Sequence, residues 1–414
     1  MIVSHLRLKN WRNFQAVDVP LRSRVFLAGP NASGKSNLLD VFRFLRDIVK
    51  RGGGLQQAME ERGGLSKIRC LAARSQPDVE IEVILAEAGG QSYLWKCAIG
   101  IEQQPGGKGL PRLVYERIWN RDGQILDRPD ASDTKDPMRL TQTHLEQISA
   151  NERFRELARF FESVSYLHLI PQLVRNPRAF TGPGIPGDPF GRSFLERVAT
   201  TPPRTRRSRL GKIEKALRSA VPQLKELTDI QDEAGAPHLE ATYEHWRPRG
   251  ARQREDQFSD GTLRLIALLW SLLESKPLLL LEEPELSLNA AIVRTLPAII
   301  HRLQGRHQRQ VLISTHSTEL LSDQGIGGEE ILLLTPSNEG TKVEVASTIQ
   351  EVRDLLESGF TPGEAVIPRT TPKPYAAFVK RYRNERYRDT NSTEKREGRL
   401  THPVIPAHAG IQER

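Results

Sequence analysis

Cysteine is nearly absent from this chain of 414 residues, where Cys70 and Cys97 are the only two. Two thiols cannot build a disulfide framework or a four-cysteine zinc site, so a reducing compartment is expected. Long apolar runs are missing as well. The longest, Leu263 to Leu273, is broken by Arg264 and is too short to cross a bilayer. The opening residues, MIVSHLRL, carry neither the apolar stretch nor the cleavage site of a secretory leader, so a cytoplasmic protein with no membrane partner is expected. Hydrophobic residues are 38% and charged residues 27%, which is polar for a folded chain but too apolar for disorder throughout. Acidic residues fall short of basic ones, 51 against 60, leaving a net charge of +9. Membrane, secreted and fibrous classes are thereby set aside.

What is present alternates in period. Ile2 to Leu8 and Arg24 to Ala28 read as strands, and a helical face (Leu38, Leu39, Phe42, Leu45, Ile48) runs from about Ser36 to Arg51. Asp78–Leu85, Ser92–Ile101 and Leu113–Trp119 read as an antiparallel meander joined by glycine-rich turns. Residues from about Leu140 to Leu167 look helical. Between 171 and 210 the pattern collapses: 7 Pro, 4 Gly and 8 Arg against Asp188 and Glu196 suggest a mobile basic excursion. A helix from about Leu210 to Leu227 and a strand near His238 to Trp246 follow. The last third alternates helix and strand (Leu263–Glu274, Leu278–Leu281, Asn289–Leu303, Val311–Ser314), the sign of a parallel, doubly wound sheet. Beyond about Ile367, 11 basic and 5 acidic residues make a tail without periodicity.

The expected fold is α/β: a mixed, largely parallel sheet flanked by helices, with an antiparallel β subdomain and a helical lobe. Lobe I covers about 1–135, an insert about 136–235 and lobe II about 236–366, with the tail at 367–414.

The sharpest signal is GPNASGKS, Gly29 to Ser36, which fits G-x-x-x-x-G-K-[ST] and lies between a buried-type strand and a helix. Its glycines let backbone N–H groups turn inward around phosphates, and the helix start adds its positive dipole end. Gly29, Asn31, Ala32, Ser33, Gly34, Lys35, Ser36 and Asn37 are therefore candidate contacts to ATP. Lys35 is expected at the β- and γ-phosphates, and Ser36 on Mg2+.

Leu278–Leu281 ends in Glu282 and Glu283, and a buried parallel strand delivers its end to the ligand crevice. Glu282 is expected to hold Mg2+ through water and Glu283 to polarise the attacking water. His316 closes another strand one helical crossover later, on the same rim, where it would contact the γ-phosphate. Ser259 and Gly261 precede the apolar helix from Leu263, where Ser259 also reads as an N-cap.

In this order, the phosphate loop, the Ser-x-Gly signature, the twin-carboxylate strand and the trailing His resemble the ABC-type ATPase heads of the SMC and RecF group. The runs LRLKNWRNF (Leu6 to Phe14) and NLLDVFRF (Asn37 to Phe44) sharpen that likeness. It is nearest to the short bacterial AAA-type, RecF-like ATPases that include subunits of phage-defence systems. Specific motifs cover residues 1–50 and 255–335.

The resemblance implies a P-loop NTPase that hydrolyses ATP with Mg2+. It also implies a homodimer or higher oligomer in which Ser259 and Gly261 of one head complete the partner's site, and Arg12 near the nucleotide, where a plain surface arginine is the competing reading. Several positions depart from the family pattern: Glu282 where Asp is common, Asp260 for a Gly, Thr262 for Gln or Glu, and Asn289 for Asp. Gln172 is the candidate metal-sensing Gln. Two roles follow. Either head closure clamps DNA in repair, recombination or anti-phage defence, or the ATPase regulates a separate effector such as a nuclease or toxin.

Overall fold

The computed structural model describes residues 1–73, 78–90, 92–103, 109–177, 188, 190–246, 250–307 and 309–370. Numbered along the chain, the strands are β1 (Ile2–Trp11), β2 (Phe14–Pro20), β3 (Arg24–Ala28), β4 (Val79–Ala86), β5 (Tyr93–Glu102), β6 (Arg112–Asn120), β7 (Gly123–Arg128), β8 (Ser165–Leu167), β9 (Leu224–Gln231), β10 (Pro237–Tyr243), β11 (Ala251–Arg254), β12 (Leu278–Glu282), β13 (Gln310–Thr315), β14 (Ile331–Ser337) and β15 (Gly340–Val345). They form three sheets among the described residues.

The central sheet has the order β15-β14-β3-β13-β12-β8. All its pairings are parallel except β14 with β15. Strands buried on both faces should be continuously apolar, and β12 is Leu-Leu-Leu-Leu before its glutamate. Alternate residues feed two cores. Leu278, Leu280, Val25, Leu27 and Leu312 pack with the N-terminal sheet and the helix Lys35–Val49. Leu279, Leu281, Phe26, Val311 and Ile313 pack with the helices Asp260–Leu273 and Ala290–His307. The sheet is thus covered on both faces, as expected of doubly wound topology.

The second sheet, β2-β1-β4-β5-β6-β7, is an antiparallel meander whose inner face belongs to the first core. The third, β11-β10-β9, is small and packs on the helix Pro203–Ala220. Among the described residues no helix is long and apolar enough to cross a membrane.

Three sequence expectations need correction. First, Leu140 to Leu167 is mostly not helical: only Arg155–Glu162 is α-helix, and Ser165–Leu167 is the edge strand β8. The cause is competition for backbone groups. The N–H groups of His144 and Leu145 donate to the buried Glu116 carboxylate at 2.7 and 3.0 Å. The Glu146 carboxylate accepts from the N–H of Thr143, and the Asn151 amide donates to the carbonyl of Leu145.

Second, the described parts of 171–210 are ordered. Helices Pro171–Arg175 and Phe194–Thr200 bury Val174, Phe194, Leu195 and Val198 in the second core. Residues 178–187 and 189 lie outside the described set. Third, the next helix is Pro203–Ala220, with proline pre-setting its first turn, and Leu224–Gln231 is strand β9. The helix Pro362–Thr370 also runs past the expected start of the tail, whose residues from 371 lie outside the described set.

Arg128 is central to the irregular segment. Its guanidinium meets Glu116 at 3.0 Å and Asp133 at 2.9 Å, with all three side chains fully buried. Its hydrogen bonds hold the Asp133 carboxyl below the usual carboxylate range. Replacing Arg128 by Met removes the buried cation shared by two buried carboxylates. Arg128→Met is expected to lower unfolding stability by about 3–5 kcal/mol, read as a drop in the denaturant midpoint.

Candidate functional site

Parallel strands bring their carboxyl ends to one rim. Here β3, β12, β13 and β8 deliver the phosphate loop, the twin carboxylates, the His316 turn and Tyr166 to that rim.

The loop after β3 takes left-handed backbone at Ala32 (φ 62°) and Gly34 (φ 96°). A Cβ on Gly34 would lie 2.2 Å from the Asn13 amide nitrogen. Asn13, in the turn between β1 and β2, braces the loop from beneath. Its amide donates to the Ser33 carbonyl at 2.9 Å and to the Thr341 hydroxyl at 2.7 Å, and its carbonyl accepts from Asn37 at 2.8 Å. Asn31 and Ala32 form the exposed tip, while the buried Ser33 hydroxyl has no partner.

The buried Lys35 ammonium donates to the carbonyls of Gly29 and Pro30 at 2.9 and 3.0 Å. Burial lowers its pKa, opposed by Glu283, Glu282 and Glu285. A phosphate would restore the hydration this cation has lost.

Ser36 donates its hydroxyl to Glu282 Oε1 at 2.5 Å. The other oxygen of Glu282 accepts from the Tyr166 hydroxyl. Next along the chain, Glu283 sits in left-handed backbone (φ 45°), its N–H donating to the Ser314 carbonyl at 3.0 Å. Such strain in a non-glycine residue persists only where its surroundings enforce it, commonly at functional positions. The turn carries Glu283 Oε1 to 3.2 Å from His316 Nδ1. The buried Glu285 accepts from the Thr315 hydroxyl at 2.5 Å, and that hydroxyl accepts the Ser317 N–H at 3.0 Å, so the residues flanking His316 are fixed. Burial pushes the Glu285 carboxyl above its ordinary range.

Lys35, Ser36, Glu282, Glu283 and His316 are thus brought together. The signature turn is not joined to them. Ser259 caps its helix, accepting from the Thr262 N–H at 3.1 Å, and Gly261 packs on the loop after β12, where a Cβ would lie 2.6 Å from the Ser287 carbonyl. Among the described residues no hydrogen bond or ion pair links this turn to the phosphate loop. Arg12 turns away from the loop, its guanidinium on Asp40 at 3.1 Å and on the Lys67 carbonyl at 3.3 Å. Gln172 is exposed in the short helix Pro171–Arg175, and Asn289 caps the following helix through the Ala291 N–H at 2.9 Å.

Sequence reasoning missed Asn13, Tyr166 and Glu285, and also Arg175, whose guanidinium pairs at 2.6 Å with Asp260, beside Ser259. Asn13 stood beside Arg12 in the quoted run, and Glu285 stood two places beyond Glu283. Tyr166 and Arg175 gave no signal of their own.

The residues fit a nucleotide with Mg2+. A hydroxyl facing a carboxylate is a hard-oxygen donor pair, and among the described residues no group of three or more His, Cys, Asp or Glu could cage a metal. Mg2+ characteristically takes one or two protein oxygens and completes its shell with phosphate and water.

The model of the family described as "AAA domain, putative AbiEii toxin, Type IV TA system" matches residues 24–322, from β3 through the His316 turn. Among solved structures the chain is similar to an SMC head bound to the C-terminal winged-helix domain of ScpA, with 15% identity over 83% of this chain and 98% of that one, TM-score 0.49. It is also similar to the SMC head domain from Thermotoga maritima (13%, 83% and 99%, TM-score 0.44). A third is the Smc head with an extended coiled coil, bound to the C-terminal domain of ScpA, from Pyrococcus furiosus (13%, 86% and 98%, TM-score 0.46). Among the curated proteins none matches the chain.

The loop geometry gives a direct test. Gly34→Ala forces a side chain into left-handed backbone and onto Asn13, so a stability loss above about 1 kcal/mol is expected. Calorimetry should show nucleotide affinity falling with it, and Asn13→Ala should relieve part of the clash but none of the backbone cost.

Proposed function

The chain belongs to the AAA-domain family whose model spans its phosphate loop and twin carboxylates, and from that premise we propose a Mg2+-dependent ATPase that works through ATP-gated head dimerisation. The observation that carries this reading is the meeting of Ser36 and Glu282 at 2.5 Å, with Glu283 and His316 3.2 Å apart on the adjoining strand ends. Bound Mg2+ would supply charge neutralisation on the phosphates, held by Ser36 and Glu282.

The chain's own residues do the rest. Lys35 exchanges its two carbonyl partners for β- and γ-phosphate oxygens. Glu283 orients the attacking water and accepts its proton, and His316 reaches the γ-phosphate from the neighbouring strand end. The separation of Ser259 and Gly261 from the phosphate loop of their own chain supports a second copy, whose signature turn covers the γ-phosphate. Hydrolysis would then release the pair.

Lys35→Ala should abolish detectable ATP binding by calorimetry. Glu283→Gln keeps shape and hydrogen bonding but cannot take a proton. It should bind ATP, hydrolyse it at least a hundredfold more slowly, and run as a dimer with ATP and a monomer without it. Normal turnover in Glu283→Gln, or an unchanged mass by light scattering, would rule the mechanism out.

DNA-related work is the role we favour, and the support lies on the helix Pro203–Ala220. Arg204, Arg207, Lys212 and Lys215 are exposed there and carry no ion pair among the described residues. Other cations of that helix are engaged, Arg206 with Asp229 and Arg218 with Glu214, and Arg175 of the earlier short helix pairs with Asp260. The four free cations lie within about 70° of one line on a helix turning 100° per residue.

Changing all four to Ala should flatten the dependence of log affinity on log salt by about 3–4, without base preference, because phosphate contacts release counterions. The regulatory reading, in line with a family named for a toxin, predicts instead negligible DNA binding and hydrolysis that responds to a protein partner.

A further inference from the structure

We propose that Tyr166 is a positioning residue for Glu282, fixing one carboxylate oxygen so that the other stays turned to Ser36, and that it thereby sets the Mg2+ requirement of nucleotide binding. The proposal rests on the nucleotide-site reading above.

The geometry starts from strand register. Tyr166 on β8 pairs in parallel with Leu280 on β12 and lies in the same core cluster. Glu282 is two residues further along β12, so it shares the face of Leu280. One two-residue step in a strand is about 6.6 Å, close to the reach of a tyrosine from Cα to hydroxyl. The ring therefore lies along the face and puts its hydroxyl, rather than its edge, on the carboxylate of Glu282.

The ring itself is held. It is 7% exposed, and the Arg43 guanidinium, from the helix that follows the phosphate loop, stacks on it with 4.3 Å to the centroid. Tyr166 thus sits between the helix that carries Ser36 and the strand that carries Glu282.

Why the carboxylate needs holding follows from its length. Glutamate has one methylene and one rotatable bond more than aspartate, so its oxygens can swing away from a metal seat. With Ser36 on Oε1 at 2.5 Å and Tyr166 on Oε2, both ends of the swing are closed. Outer partners of a metal-binding carboxylate commonly change metal affinity by 10–100-fold when removed.

Tyr166→Phe removes only the hydroxyl and leaves the ring under Arg43. The test uses the full chain and N-methylanthraniloyl-ATP fluorescence, titrated with MgCl2 in EDTA-buffered solution. Tyr166→Phe should raise the half-saturating Mg2+ at least about tenfold, while affinity measured in EDTA alone equals the parent's. In a Glu282→Asp background the shorter carboxylate is out of the hydroxyl's reach, and adding Tyr166→Phe should change the Mg2+ midpoint no further.

An unshifted midpoint in Tyr166→Phe overturns the proposal. So does an equal loss of affinity with and without Mg2+, which would make the tyrosine a packing residue. A parent that binds no nucleotide, or a Lys35→Ala variant that binds like the parent, removes the ATPase reading as well. A parent that binds while Tyr166→Phe leaves the midpoint in place removes this proposal alone.

Discussion

A strand buried on both faces and ending in two adjacent carboxylates sets the problem that the rest of this molecule answers. The four leucines of β12 are fully buried and close on Glu282 and Glu283. Two like charges at the lip of a low-dielectric core repel each other and are costly to desolvate, unless donors or cations stand around them. The chain separates the pair by backbone geometry. The left-handed φ at Glu283 sends its side chain to His316, just beyond the end of β13, while Glu282 continues on the strand face toward Ser36 and Tyr166. Lys35 lies close enough for both carboxylates, and Glu285, to favour its charged form against the cost of burial. The phosphate loop is therefore an electrostatic partner of the twin carboxylates before any ligand arrives.

The same economy governs how distant segments are tied to the site. Asn13 joins the β1–β2 turn, the phosphate loop and β15 with one amide, so the antiparallel sheet and the far edge of the central sheet share a single brace. On the other side, Arg175 donates to the Phe258 carbonyl and pairs with Asp260, both at 2.6 Å. Its short helix follows β8, the strand of Tyr166, by a few residues. Glu282 and the turn at Asp260 are thus connected through Tyr166, the chain from β8 to the helix Pro171–Arg175, and Arg175.

Much of this was readable without coordinates, and the failures have physical causes. The phosphate loop, the flanking strand and helix, the meander and the alternation of the last third depend on local pattern, and each was legible. The stretch 140–167 was not, because its helical look came from apolar spacing while its amides are taken by Glu116, a residue 28 positions upstream of His144. A three-residue edge strand such as β8 has no periodicity to read. Its identity comes from β12 alongside it. The basic window misled for the opposite reason. Proline and arginine dominate its composition, yet three apolar side chains at Phe194, Leu195 and Val198 suffice to anchor a helix in the core. Within the site, Lys35, Ser36, Glu282, Glu283 and His316 were legible as motif residues, and the fold brings these five together. The residues that hold the motifs in place were missed, because each acts across 20 or more residues of sequence or from a strand too short to announce itself.

The departures from the family pattern become coherent once these holding residues are included. The glutamate proposed to hold Mg2+ has one rotatable bond more than an aspartate, and here it faces Tyr166. An aspartate in the signature places a negative charge at the turn where a phosphate is expected, and here Arg175 sits on it. Asn289, in a position often held by Asp, still supplies the oxygen that caps the helix Ala290–His307. For Glu282 and Asp260 the side chain and its partner come from different segments, so the pair is invisible to a motif search. Each of these two side chains is matched to its partner: altering Glu282 or Asp260 alone, toward the residue common in the pattern, would leave Tyr166 without an acceptor or Arg175 without a counter-charge.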